Sequence, residues 1–231
     1  MCGRYTLSVP ADVVAELFEL ATVPALEPRY NIAPTQEAPV VRRVERSPAT
    51  GGEGPYRRLD LLRWGLVPYW ADSPAIGNRL INARSETAAE RPAFRDAFRR
   101  HRCLVVADGF YEWRREAGGK QPYWIHRPDG RAFAFAGLWS RWGRGEARFD
   151  SFTILTVEAS PEIAPLHDRM PAILDPAAWD GWLDPRRSDP GDLQALLAGA
   201  DGATLTLRRV ARRVNTPHHD EPDCIEPLVE V

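Results

Sequence analysis

Apolar positions along the chain fall into short runs whose spacing changes from segment to segment. Between residues 11 and 21 they recur at helical spacing. Val13, Val14, Leu17, Phe18 and Leu20 form one apolar face and predict a short amphipathic helix. Pro24 and Pro28 then predict an extended connection, because the residue before a proline is held out of the helical region. Residues 38–44 and 57–64 predict two strands around a loop, 45–55, that contains Gly51, Gly52 and Gly54. Thr87 followed by Glu90 predicts a capping box, and Pro92 divides that helix in two, the second piece running through Phe94 and Phe98.

From residue 102 the pattern becomes β-like. Runs at 103–107, 123–126, 132–139 and 152–157 predict strands, with Gly118-Gly119 and Asp129-Gly130 as turns. A late helix is predicted around 193–197 and a final strand over 204–214, while the polar stretch 186–202 carries no functional signal. Strands and helices do not alternate, which argues against a doubly wound parallel sheet. The expected fold is α+β: one domain over 1–231, with a curved, mostly antiparallel, barrel-like sheet core flanked by short helices.

Composition narrows the class. With 231 residues, 44% of them hydrophobic, the chain has enough apolar surface to bury a core, which excludes a wholly disordered protein. Its apolar runs, such as 103–107, are too short to cross a bilayer, and MCGRYTLSVP has no basic segment leading into an apolar run. Three cysteines without regular spacing argue against a disulfide framework and for a reducing, cytoplasmic setting. The thirty basic residues include a single lysine, Lys120, yet the net charge is −2. A nucleic-acid site would therefore be a local arginine-lined cleft rather than a positive coat.

Four polar clusters carry candidate chemistry. Removal of Met1 would leave Cys2 with a thiol beside a free α-amine, a pair able to condense with an aldehyde to an imine and close it to a thiazolidine. A frayed terminus with an incidental cysteine is the alternative. In residues 80–87, helix capping accounts for Ser85 and Thr87 but leaves Asn82 and Arg84 unexplained. In Asp108-Gly109-Phe110-Tyr111-Glu112-Trp113, a carboxylate between aromatics after a buried run is either a desolvated proton-transfer group or a solvent-facing edge residue. His167 has both Asp168 and Arg169 beside it, whereas His101, His126, His218 and His219 read as structural. His218-His219 with Asp220 and Cys224 matches no zinc spacing, so no metal and no cofactor are expected. Phosphate-loop, dinucleotide, HExxH and Gly-x-Ser-x-Gly patterns are absent from the sequence.

Taken in order, Met1-Cys2-Gly3-Arg4-Tyr5, Tyr30-Asn31-Ile32-Ala33-Pro34-Thr35, Arg63-Trp64-Gly65-Leu66-Val67-Pro68, Asn82-Ala83-Arg84-Ser85-Glu86-Thr87, the Asp108–Trp113 segment, His167-Asp168-Arg169-Met170-Pro171, Val214-Asn215 and Ile225-Glu226-Pro227 resemble the SOS-response-associated peptidase family, the abasic-site processing proteins. Each motif is weak alone; the ordered set spans nearly the whole chain. The resemblance implies that Met1 is removed autocatalytically with Cys2 as nucleophile. Cys2 would then crosslink through a thiazolidine to the ring-opened aldehyde of an abasic site in single-stranded DNA, protecting the lesion. It puts the catalytic set on Cys2, Asn82, Glu112 and His167, and phosphate contacts on Arg84 and Arg169, with Arg4 adding to the same cleft. Each arginine of that pair lies two residues after a catalytic one, which on a strand would put both on one face. Trp70 and Trp113 are candidate stacking platforms for flanking bases, while Trp64 reads as core. The implied partner is single-stranded DNA with abasic sites, not a membrane or a metal, and nothing requires more than a monomer. A thiol peptidase acting on other proteins and a non-covalent DNA-binding module remain alternatives.

Overall fold

The computed structural model describes residues 2–45, 56–198 and 204–228; Met1, nearly all of the predicted 45–55 loop and the end of the 186–202 stretch lie outside them. The first half holds β1 (Tyr5–Leu7), α1 (Ala11–Leu17), β2 (Arg29–Ile32), β3 (Glu37–Val44), β4 (Tyr56–Trp64), β5 (Asn82–Arg84), α2 (Ser85–Ala88) and α3 (Arg95–Arg100). It is followed by β6 (Arg102–Ala107), β7 (Gly109–Glu116), β8 (Gly119–His126), β9 (Phe133–Trp142), β10 (Phe149–Glu158), β11 (Arg169–Pro171), β12 (Ile173–Leu174), α4 (Trp179–Leu183), α5 (Pro190–Leu197) and β13 (Thr206–Arg209).

Five strands close on themselves in the order β10-β4-β3-β6-β9, because β9 pairs back onto β10. All contacts in this barrel are antiparallel except β10 with β4, which are parallel at Ser151↔Arg63 and Phe152↔Trp64. Closure leaves these strands no free edge. Apolar residues such as Val40, Trp64, Leu104, Phe135 and Phe152 are fully buried in the core. A second, wholly antiparallel sheet, β13-β8-β7-β1-β2, packs its Tyr5 edge-on against Trp64 at 5.1 Å and Phe135 at 5.9 Å. The expected α+β class and curved, mostly antiparallel barrel are thus the observed architecture.

Two local devices place the strands that matter for the site. After β4 the chain turns at Gly65, whose φ of 116° is in the region that favours glycine, with Gly77 O only 2.5 Å from where a Cβ would sit. That close approach brings residues 80–82 alongside: Leu66 N–H donates to Leu80 O and Trp64 Nε1 to Ile81 O at 2.9 Å. The buried Arg102 guanidinium donates to the carbonyls of Phe98, Arg99, Trp182, Asp184 and Arg187, gathering carbonyls from α3, the end of α4 and the turn after it.

Several local expectations change. The 11–21 helix stops at Leu17 because Glu19 adopts a φ of 55°. The predicted capping box does not form: α2 begins at Ser85, so Thr87 lies inside it, with Arg84 as the capping position and no side-chain cap. The division expected at Pro92 is present, as α2 and α3. The last strand is only Thr206–Arg209; Val210 bridges to Pro227 and the chain then forms a 3-10 turn at Arg212–Asn215.

Trp64 therefore links core and site strand. Trp64→Ala should cost about 3–5 kcal/mol in chemical denaturation, whereas Leu61→Ala, at a side chain 48% exposed, should change stability by less than about 0.5 kcal/mol.

Candidate active site

A chain end normally frays; here the residues behind it are tied down one after another. Arg4 O accepts from Tyr111 N–H at 3.0 Å and Thr6 O from Asp108 N–H at 3.0 Å, seating β1 on β7. The buried Asp108 carboxylate accepts in return from Thr6 Oγ1, from Ser8 N–H at 2.6 Å and Ser8 Oγ at 2.7 Å, and from Val9 N–H at 3.1 Å. Trp124 Nε1 donates to Thr6 Oγ1 at 3.2 Å. Cys2 is fully buried, and its carbonyl accepts from Asn82 Nδ2 at 2.7 Å.

Asn82 reaches Cys2 because β5 runs parallel to β10, with Ile154 opposite Asn82. Its amide oxygen is buried without a partner, leaving an acceptor open within the site. Glu112 comes from β7, opposite Tyr123 of β8, and is 4% exposed. Burial pushes its carboxyl up, opposed by the chain's amino-terminal charge and by His167. Burial also pushes the Cys2 thiol well up, and the Glu112 charge adds to it. An undisturbed Cys2 thiol is therefore a poor nucleophile and needs a proton acceptor beside it.

His167 sits in the turn before β11, so strand alternation does not relate it to Arg169 as the sequence suggests. Its Nδ1 accepts from Arg169 N–H at 2.9 Å and lies 2.8 Å from Asp168 Oδ1. Nδ1 thus has both a backbone donor and a carboxylate oxygen within hydrogen-bond distance. Cys2, Asn82, Glu112 and His167 are thus brought together from β1's leader, β5, β7 and the turn before β11, each within hydrogen-bond or electrostatic reach of another.

The candidate DNA contacts are placed unevenly. Arg84 is exposed on β5, on the same face as Asn82, with the buried Ala83 between them. Arg169 forms a forked pair with Glu86, at 2.8 and 2.9 Å. Arg4 is committed to the C-terminal segment, donating to Asn31 Oδ1 and Val214 O at 2.9 Å and to Asn215 O at 3.4 Å. Trp113 donates from Nε1 to Asn215 Oδ1 at 2.7 Å, while Trp70 is 48% exposed next to the exposed Tyr69. Trp64 is core, as expected.

Sequence reading gave no role to Asp108, Asn31 or Glu86. Asn31 Nδ2 donates to Val214 O, Thr216 O and His219 O, while Asp220 accepts from Tyr30 and Asn31 N–H, so these residues hold the C-terminal segment over β2. The signal was there for Asp108: Thr6 and Ser8 are polar positions two apart at the end of a short apolar strand. Among the described residues, one group of His, Cys and carboxylate side chains lies close enough to consider for a metal: His219, Asp223 and Cys224. Its groups are spoken for, with His219 Nε2 on Asp223 Oδ1 at 2.6 Å, Arg213 on Asp223, and Cys224 Sγ on His219 O.

A model of the SOS response associated peptidase (SRAP) family matches residues 1–217. The abasic site processing protein YoqW of Bacillus subtilis is 38% identical, over 98% of this chain and 99% of its own. YedK of Escherichia coli, carrying the same description, is 31% identical over 99% and 100%. HMCES of Gallus gallus, also so described, is 32% identical over 87% of this chain and 66% of its own. An X-ray structure of a Bacteroides thetaiotaomicron protein covers 99% of this chain and 100% of its own at a TM-score of 0.77 and 24% identity. Fold and sequence together define an SRAP-type domain. The chain belongs to the SOS response associated peptidase family.

A carboxyl with a raised folded pKa binds more protons folded than unfolded, so its contribution to stability is fully present below its ordinary value of 4.5 and is lost as pH rises through the folded value. The stability difference between Glu112→Gln and the parent should therefore grow in the variant's favour as pH rises above 4.5. Denaturant titrations across pH check this; a pH-independent difference contradicts it.

Proposed function

We propose that this protein senses abasic sites in single-stranded DNA and captures them covalently through Cys2, shielding the lesion from strand cleavage. The observation that carries the reading is the burial of Cys2 at 0% exposure with its carbonyl on Asn82 and its thiol under the charge of Glu112. An incidental terminal cysteine has no need of such a setting.

Maturation comes first. The Cys2 thiolate attacks the Met1 carbonyl carbon, the peptide C–N bond breaks as the nitrogen takes a proton, and water hydrolyses the thioester to release methionine. Cys2 then holds a thiol and an α-amine. Protonated His167 gives its Nε2 proton to the ring oxygen of the abasic sugar while the hemiacetal hydroxyl gives its own to water, opening the sugar to an aldehyde and a free hydroxyl and leaving the imidazole neutral. The amine adds to the aldehyde carbon and water leaves, forming an imine. Glu112, whose carboxyl burial makes a stronger base, takes the thiol proton and returns it to nitrogen as sulfur closes on the imine carbon. No net proton is consumed in that closure. The open Asn82 oxygen accepts from the nitrogen throughout and keeps it aimed at the carbon. His167 also serves the reverse step, by protonating the sulfur as the thiazolidine reopens to the imine.

Arg84 supplies the exposed positive charge nearest Asn82, while Arg169, beside His167, is paired with Glu86 and would reach a phosphate only by sharing its guanidinium with that carboxylate. Trp70 is the exposed aromatic for a flanking base. Arg4 and Trp113 shape the cleft through the C-terminal segment they hold. No helix of the described residues is long and apolar enough to cross a membrane, and the chemistry above requires neither metal nor organic cofactor.

Incubation with a single-stranded oligonucleotide bearing one abasic site should give a heat-stable adduct, and Cys2→Ala should give none. Intact mass should show the chain less one methionine, a loss absent in Cys2→Ala. An adduct of undiminished yield from Cys2→Ala overturns the mechanism. Turnover of unrelated peptides by the mature chain would favour a general peptidase, and equal affinity for intact and lesion strands a non-covalent binder.

A further inference from the structure

The turn between β9 and β10 carries an arginine-rich cleft outside the capture site. Gly143 closes this turn with a φ of 89°, where a Cβ would come within 2.4 Å of Ala147 O. Arg144 and Arg148 are exposed on the turn, and with Arg141, His101, Asp96 and Tyr69 they line a cleft of about 610 Å³. Arg141 is committed, forked onto Asp150 at 2.6 and 2.9 Å. Arg144 and Arg148 have no ion pair among the described residues. The acids nearby are Asp96, 3.9 Å from His101 Nδ1, and the exposed Glu146 of the turn. Burial pushes the His101 imidazole down; Asp96 opposes this, and Arg100, Arg141 and Arg102 add to it, so arginines outnumber carboxylates around that ring.

β10 connects this cleft to the capture site. Ile154 lies opposite Asn82, and Phe149 opens the strand at the turn, five residues earlier. At about 3.3 Å per residue the separation is about 16 Å. Residues 67–71 run over the same stretch: Val67 N–H donates to Ser151 Oγ at 2.8 Å, and Trp142 Nε1 to Ala71 O at 2.6 Å. Between these two ties Tyr69 is 69% and Trp70 48% exposed. Burial of these rings contributes little to the core. An exposed phenol ring beside unpaired guanidinium groups matches the two faces of a nucleotide. The ring offers a surface for a base, and each guanidinium a fork for phosphate oxygens.

We propose that the cleft of Tyr69, Arg144 and Arg148 is an outlying anchor for the single strand whose lesion lies at Cys2. Arg144 and Arg148 hold backbone phosphates and Tyr69 stacks a base, whatever its identity, about five nucleotides from the lesion at the 3.4 Å spacing of a stacked strand. This rests on the reading that single-stranded DNA enters the capture site, and extends the contact beyond it along one flank. The anchor adds affinity without reading sequence, which suits a protein whose target is a missing base.

Equilibrium binding of a single strand carrying a tetrahydrofuran analogue of the abasic sugar tests this. The analogue has no aldehyde, so binding is read apart from capture. On a strand with about ten nucleotides on each side of the lesion, the double variant Arg144→Ala/Arg148→Ala should raise the dissociation constant about tenfold. The slope of log affinity against log salt should shrink by about 1.4, for two phosphate contacts at about 0.7 each. Tyr69→Ala should weaken binding about fivefold or more. With about two nucleotides on each side, parent and variants should bind alike, and lengthening one flank but not the other should bring the difference back. Arg131→Ala, which removes an exposed arginine before the opposite end of β9, should bind as the parent does. Melting temperatures should stay within about 2 °C of the parent's. The proposal is overturned if the variants bind the long strand as tightly as the parent, lose as much affinity on the short one, or are matched by Arg131→Ala. If binding depends on Arg144 and Arg148 but a true abasic strand gives no adduct, the capture reading fails and the anchor stands. If adducts form normally and binding ignores both arginines, the anchor alone fails.

Discussion

The structure depends on burying the end of its own chain. A thiol and an amine on a free terminus would wander, and each productive encounter would carry the entropy of ordering several residues. Here that cost is met during folding. Asp108 draws Thr6, Ser8 and Val9 onto the start of β7, Tyr111 holds the Arg4 carbonyl, and Asn82 holds the Cys2 carbonyl. The Cys2 thiol donates to Arg4 O at 3.6 Å, and its nitrogen becomes an amine only in the proposed maturation. Burial and the Glu112 charge both push the Cys2 thiol up, so on the proposed reading its reactivity depends on Glu112 taking the proton.

The barrel makes this possible by concentrating constraint on one strand. β10 closes the barrel against β9 and β4 over its first half, and over its second half carries β5 on one edge and β11 on the other. The same strand is thus both a wall of the core and the ruler between Asn82 and His167. The second sheet brings Cys2 and Glu112 to that ruler through β1 and β7, whose contact with the barrel is the aromatic packing of Tyr5 on Trp64 and Phe135. A site assembled from two sheets tolerates little rigid-body slippage, which explains why a core tryptophan also hydrogen-bonds the backbone leading into β5.

Much of this was legible in the sequence, unevenly. The long strands β3, β4, β9 and β10 announce themselves by apolar runs bounded by glycine or charge. The short strands β1, β2, β5, β11 and β12, of two to four residues, fall below any window in which period 2 can be recognised, and they exist because a neighbour is already in place. Of the four chemical residues, Asn82 stood out because helix capping left it unexplained; Cys2, Glu112 and His167 were joined to it by the resemblance of the ordered motifs. Their mutual arrangement was not readable, since it depends on β10 having two occupied edges. The arginines show the limit most clearly. The resemblance offers Arg169 as a phosphate contact and adds Arg4 to the same cleft, but Arg4 is held by three residues far away in sequence, and Arg169 is forked onto Glu86.

The central claim is that one residue contributes both atoms of the captured product. Its most direct measurement is the NMR spectrum of the adduct formed from DNA labelled with 13C at the abasic C1′ and protein labelled with 15N at Cys2. The account predicts a saturated carbon bonded to both nitrogen and sulfur, showing a one-bond coupling to the Cys2 nitrogen. An unsaturated carbon–nitrogen signal, or a carbon with no coupling to Cys2, would contradict it.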